Sequence, residues 1–230
     1  MSDELRDAKL RALAEFAAGA GHEINNPVAT IIGHVQLLLA NETDPERRHA
    51  LQTIGGQAYR IRDMIGDAML FARPPQPRPQ SLDLAEVVRE VAAKFTAEAE
   101  AAKVRVEIDA SYSVRIWADP TQLRIVISSL LRNSLEAITA KGLITFRAAS
   151  AEREQKPVAL LTVTDNGRGL TDVEREHLFD PFFSGRQAGR GLGFGLPKCW
   201  HIITLHGGTI DVESALNQPT TFLVTWPAVP

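Results

Sequence analysis

The 230-residue sequence has one cysteine, Cys199, so no disulfide can form within the chain, and Cys and His nowhere cluster at zinc-ligand spacing. Such a composition fits a reducing cytosol, the expected location. Long apolar runs are missing too: nothing approaches the roughly 20 residues a membrane span needs, and the charged start MSDELRDAK is no signal peptide. A chain without membrane contact is expected. Nor is there an excess of positive charge, since 25 Lys and Arg are interspersed with 28 Asp and Glu for a formal net charge of −3. That leaves no basic stripe to follow a phosphate backbone and argues against nucleic acid as a partner. Internal repeats and low-complexity tracts are absent apart from one proline-rich stretch.

The sequence is 44% apolar and 23% charged, an ordinary globular composition, and its length suits two modest domains. From Leu10 the apolar positions run Leu13, Ala17, Ala20, Ile24, Val28, Ile31, Val35 and Leu38, at three- and four-residue steps. That is the seam of a long amphipathic helix. After a polar turn at 41–45, a second seam follows at Leu51, Ile54, Ala58, Ile61, Ile65 and Ala68. Two helices alone enclose no core, so the hairpin is expected to pair with a copy of itself in a dimeric four-helix bundle. Pro74, Pro75, Pro77 and Pro79 cannot continue a helix. The expected division is therefore a hairpin over 1–72, a stiff linker over 73–81 and a second domain over 82–230.

In that second domain, Asp83 with Glu86, and Asp119-Pro120 with Gln122, read as helix N-termini opening helices over 84–102 and 120–139. β-branched runs predict strands at 104–108, 114–117, 143–148, 158–164, 209–213 and 221–226. The fold class is α+β, a helical hairpin followed by an α/β sandwich.

At about 100° per residue, His22 lies far round the first helix from the seam residues Ala20 and Ile24 and is expected to face water. Asn26 shares its face, Glu23 is adjacent, and Pro27 denies the Glu23 carbonyl its helical hydrogen bond. An imidazole is nucleophilic at one nitrogen when the other keeps its proton and has an acceptor, which Glu23 can provide. An isolated His-Glu pair on a helix surface would be unremarkable. The remaining histidines are read as surface or structural groups, with His206 part of the turn His206-Gly207-Gly208.

Asp165-Asn166-Gly167-Arg168-Gly169 directly follows an apolar strand, placing a carboxylate at a strand end beside glycines that admit a ligand to the backbone. Alone, this is also what a plain turn looks like. Gly189, Gly191, Gly193 and Gly195 alternate before a helical stretch, a loop whose N–H groups suit phosphate. Their spacing is not that of a dinucleotide fingerprint, and Gly-Lys-Ser/Thr of a Walker-type loop is missing.

GHEINNPVATIIGH, residues 21–34, resembles the phosphoacceptor box of histidine kinases, of the His-Glu-x-x-Asn-Pro type. Asn133 in SSLLRNSLEAI, then DNGRG, LFDPFFSG, GRGLGFGL and HGG, in that order, resembles the ATP-binding domain of the GHKL superfamily, with the Bergerat fold. The two resemblances together cover roughly residues 10–227. They imply an ATP-dependent kinase that phosphorylates His22, with Glu23 as base, and passes the phosphoryl group to an aspartate of a response-regulator receiver domain. Asn26 would orient water when that partner is dephosphorylated.

The same resemblance implies that Asp165 accepts from the adenine amino group, that Gly167 and Gly169 shape the adenine pocket, and that Asn133 coordinates Mg²⁺. Gly189, Gly191, Leu192 and Gly193 would line the phosphates. Phe179, Pro181, Phe182 and Phe183 resemble the family's F box, although Phe182 and Phe183 also read as core aromatics. Arg186 stands where many relatives have a lid lysine and reads either as a γ-phosphate contact or as an idle surface group. The sequence departs from the family at Ser129, the first position of the Asn-x-x-x-Asn box, and at Arg190. Hydrolytic members of the superfamily carry a glutamate at the former position, so a GHKL ATPase is the less favoured alternative. A degenerate, nucleotide-binding scaffold is the other.

Overall fold

A computed structural model describes residues 3–109, 113–153, 156–183 and 193–228, with side chains in the first helix described from Glu23 onward. The chain forms two compact units that divide after Pro75, except that Gly193 and Phe194 group with the first.

The first unit is a helical hairpin. Helix α1 spans Asp3–Asn41 and runs uninterrupted through Pro27, and α2 spans Pro45–Ala72. Asp44 starts α2: its carboxylate accepts from the Glu46 and Arg47 amides at 2.9 and 3.0 Å, and Pro45 follows at the first helical position. Val28, Ile32 and Ala58 are buried between the helices, with Ile24 and Tyr59 packed against them. Gly55 is buried at this contact, where an added Cβ would stand 3.0 Å from Val35 Cγ1, closer than ordinary packing. The apolar residues left over, Ile31, Leu38, Ile54 and Ile61, are 44–58% exposed in the single chain.

The second unit is a two-layer sandwich. Its elements are β1 (Gln80–Asp83), α3 (Leu84–Lys94), α4 (Thr96–Ala102), β2 (Val104–Asp109), β3 (Arg115–Ala118), α5 (Pro120–Ala137), β4 (Gly142–Arg153), β5 (Lys156–Asp165), α6 (Asp172–Glu176), α7 (Gly195–Leu205), β6 (Thr209–Glu213) and β7 (Thr220–Pro227). Five strands form one sheet in the order β2-β4-β5-β7-β6, with only β2–β4 parallel. Alternation decides the faces: Leu161, Val163, Phe222, Val224 and Trp226 are buried against α3, α5 and α7. The intervening Thr162, Thr164, Thr221 and Thr225 are only partly covered.

Three features differ from the expectation. The helix over 84–102 breaks at Phe95, whose backbone ends α3 and starts α4 while its ring is buried in the core. Residues 80–83, read as linker and helix entry, instead pair antiparallel with β3. A short helix, α6, stands where none was expected, although its capping box Thr171-x-x-Glu174 is visible in the sequence.

Candidate functional site

In the first unit His22, Glu23 and Asn26 all lie on α1. The His22 side chain falls outside the described residues. Glu23 and Asn26 are exposed, and the Thr30 hydroxyl donates to the Asn26 carbonyl at 3.1 Å.

In the second unit the chemistry converges on the end of β5. Asp165 pairs in register with Ile144 of β4 on one side and Thr220 of β7 on the other, so its carboxylate starts from the middle of the sheet and is 0% exposed. The Gly167 amide donates to Oδ1 at 2.9 Å and the Ser134 hydroxyl of α5 donates to Oδ2 at 3.0 Å. Burial pushes the Asp165 carboxyl above the usual range, opposed by those two hydrogen bonds.

The DNGRG turn is held from both sides. The Arg168 amide donates to the Ala137 carbonyl at the end of α5, and the Asn217 amide donates to the Arg168 carbonyl at 2.8 Å. Gly169 has φ +70°, and a Cβ there would stand 1.9 Å from the Ala215 carbonyl oxygen, so the turn requires glycine on both counts. The Arg168 guanidinium grips Glu174 at 2.5 and 3.1 Å. The same carboxylate accepts from the Thr171 amide and hydroxyl, completing the α6 capping box. The Arg168 guanidinium, helped by Thr171, holds Glu174 down at about 2.

Asn133 precedes Ser134 on α5 and is partly exposed, as is Ser129 one turn earlier. Among the described residues no group of three His, Cys, Asp or Glu could hold a metal. A hard divalent cation takes oxygen ligands, and Mg²⁺ commonly relies on phosphates and water with only one or two protein groups. A partly exposed Asn133 with no carboxylate cage among the described residues fits a cation brought in by a nucleotide.

Phe179 is half-buried and packs on the core. Phe183 stacks against His177 with ring centroids 5.4 Å apart, and His177 in turn meets Asp180 at 2.8 Å. Phe182 is 59% exposed with φ 64°, which excludes the core reading for it. Gly193 has φ +71°. Arg186, Gly189, Arg190, Gly191 and Leu192 lie outside the described residues.

Ser134, Thr220, Ser214 and Glu174 were not among the residues singled out in the sequence, and His206 was read there only as part of a turn. Ser134 meets Asp165 across 31 positions, a contact no local pattern announces. Thr220, opposite Asp165, shares a hydrogen bond with Ser214 at 2.9 Å, and Ser214 also accepts from the Leu170 amide, walling the turn. Glu174 was legible through its capping box. His206 is more than a turn residue: its Nε2 accepts from the Asp119 amide at 3.0 Å while Nδ1 lies 2.8 Å from the Ile202 carbonyl. Asp119 also accepts the Arg78 amide at 2.9 Å, fastening the end of the proline stretch to the second unit.

Comparison with known proteins gives the two units their places. Residues 12–77 match the His Kinase A (phospho-acceptor) domain, and residues 118–230 match the Histidine kinase-, DNA gyrase B-, and HSP90-like ATPase family. Among curated relatives, Sporulation kinase B of Bacillus subtilis is 30% identical over 99% of this chain and 52% of its own length. Sensor histidine kinase ZraS of Klebsiella oxytoca is 31% identical over 94% and 46%. The chain thus spans about half the length of these curated relatives. Full-length ShkA, crystallised with AMPPNP, shares the fold with a TM-score of 0.80 at 21% identity, over 94% of this chain and 46% of that one. The catalytic domain of histidine kinase ThkA superposes with a TM-score of 0.58 at 26% identity, over 66% and 96%. No described helix is long and apolar enough to cross a membrane. With a phosphoacceptor hairpin and an ATPase-type sandwich in this order along one chain, the protein belongs to the histidine kinase family.

Proposed function

We propose that this chain is an ATP-dependent protein histidine kinase of a two-component system, which phosphorylates its own His22 and passes the phosphoryl group to an aspartate of a response-regulator receiver domain. The observation that carries the reading is the fully buried Asp165 carboxylate, held by Gly167 and Ser134 at the mouth of a turn that admits no side chain at Gly169. An anion so placed is suited to accepting a purine amino hydrogen. In this reading Gly167, Gly169 and Phe179 bound the base, while Gly189, Gly191, Leu192 and Gly193 supply the phosphate loop. Arg186 sets a cation against the γ-phosphate. Asn133 lends its amide oxygen to Mg²⁺, which when bound would screen phosphate charge.

Glu23, exposed beside His22 on α1, keeps the second imidazole nitrogen protonated so that the first can attack. Exposed Asn26, one turn on, orients water for dephosphorylation of the partner. The working division is a hairpin over 1–72, a linker over 73–81 and an ATP-binding domain over 82–230, acting in the cytoplasm. The hairpin works as a homodimer: Ile31, Leu38, Ile54 and Ile61 form an exposed apolar stripe that a second hairpin would cover, closing a four-helix bundle.

Incubation with γ-labelled ATP and Mg²⁺ tests the proposal. Protein-bound label that is acid-labile, absent in His22→Ala and discharged by a receiver domain is expected, with Asn26→Ala slowing only the later loss of label from that receiver. Steady phosphate release unaffected by His22→Ala would instead point to an ATPase and overturn it.

A further inference from the structure

Asp165 needs more than a location to recognise adenine. A carboxylate that accepts from an exocyclic amino group must be ionised and correctly turned, and this one is 0% exposed, where an unpaired charge is costly. A carboxylate has about four acceptor positions. One is taken by the Gly167 amide at Oδ1, 2.9 Å away, and one by the Ser134 hydroxyl at Oδ2, 3.0 Å away. The first comes from the turn's own backbone and is independent of side-chain identity. The second depends on a single hydroxyl, itself 0% exposed, on the residue after Asn133 in α5.

We propose that Ser134 is a positioning residue that fixes the Asp165 carboxylate as a hydrogen-bond acceptor and so sets the preference for a 6-amino over a 6-oxo purine. The proposal rests on the reading that Asp165 takes the base. The reasoning is one of hydrogen-bond polarity. An ionised Asp165 only accepts, matching the N–H of a 6-amino group and opposing the lone pairs of a 6-oxo group. Removing the Ser134 hydroxyl leaves one oxygen of a buried anion without its donor. The carboxyl then turns or takes up a proton, and a protonated carboxyl donates. The 6-amino group loses its acceptor, whereas a 6-oxo group loses nothing. Alanine at 134 is smaller by one oxygen, so the helix and its packing remain.

The test is calorimetric titration of the whole chain with ATP and with inosine triphosphate at one pH, for the native protein, Ser134→Ala and Asp165→Asn. Hydrogen bonds to charged groups contribute enough that Ser134→Ala should weaken ATP binding about tenfold. Inosine triphosphate binding should stay where it was. A role confined to core packing would weaken both nucleotides together, and that result, or no change in either, overturns the proposal. Asp165→Asn separates the two levels. If it abolishes discrimination while Ser134→Ala preserves it, only the role of Ser134 fails. If Asp165→Asn keeps the native ratio, the base-reading role of Asp165 fails and takes Ser134 with it.

Discussion

Asp165 and Glu174 are carboxylates nine residues apart with opposite fates, and the environment of each explains why. Asp165 sits in the middle of the sheet with a hydroxyl and an amide for company, so burial dominates and its carboxyl is pushed up. Glu174 faces the Arg168 guanidinium, which holds it at about 2 against an ordinary value of 4.5. A depressed carboxyl contributes stability that is complete above the unfolded value and fades as pH falls toward the folded one. Glu174→Gln should therefore lower the melting temperature by the equivalent of about 1 kcal/mol near neutrality, since Arg168 is half exposed and its charge partly screened. Thermal melts in a pH series should show that difference shrinking between about 4.5 and 2. A gap that persists at acid pH would mean the ion pair is not its source. Asp165 and Glu174 were both identifiable in the sequence, one by following a strand and the other by its capping box. Their surroundings were not, because Ser134 reaches Asp165 only once the chain has folded.

The elements of the sandwich were legible where one force decides them. Strands with period-two apolar residues, and helices opened by Asp83 and Asp119, appear where capping and alternation place them. Legibility failed where tertiary contacts decide. Nothing local ends a helix at Phe95; the break occurs because that ring is drawn into the core, and Arg132 lies over its face at 5.4 Å. Likewise Gln80–Asp83 becomes a strand only because Arg115–Ala118 offers an edge. The DNGRG turn is the element with least freedom, pinned by Ala137, Asn217 and the Arg168–Glu174 pair. Gly169→Ala puts a methyl group into the Ala215 carbonyl at a backbone angle that alanine disfavours. We expect it to reduce ATP affinity by more than tenfold, with the helix and strand content seen by circular dichroism unchanged. ATP binding at the native level would show the turn to be a plain connection.

At the scale of the whole molecule, the order of its parts was readable because each carries its own motif: a histidine on a long helix, a proline stretch, then a carboxylate and glycines among strands. The expectation of self-association came from a surplus of apolar residues, of which Ile54 and Ile61 are about half exposed in the single chain. Ile54→Glu with Ile61→Glu should convert a dimer into a monomer in sedimentation equilibrium, while a single chain weight for the native protein would refute the bundle. The central claim, that the ATP held by one domain ends as phosphate on a helix of the other, is tested most directly by ³¹P magnetic resonance of the protein after incubation with ATP and Mg²⁺. The account predicts a phosphoramidate resonance that is absent in His22→Ala. A phosphoester resonance, or a phosphoramidate that survives His22→Ala, would contradict it.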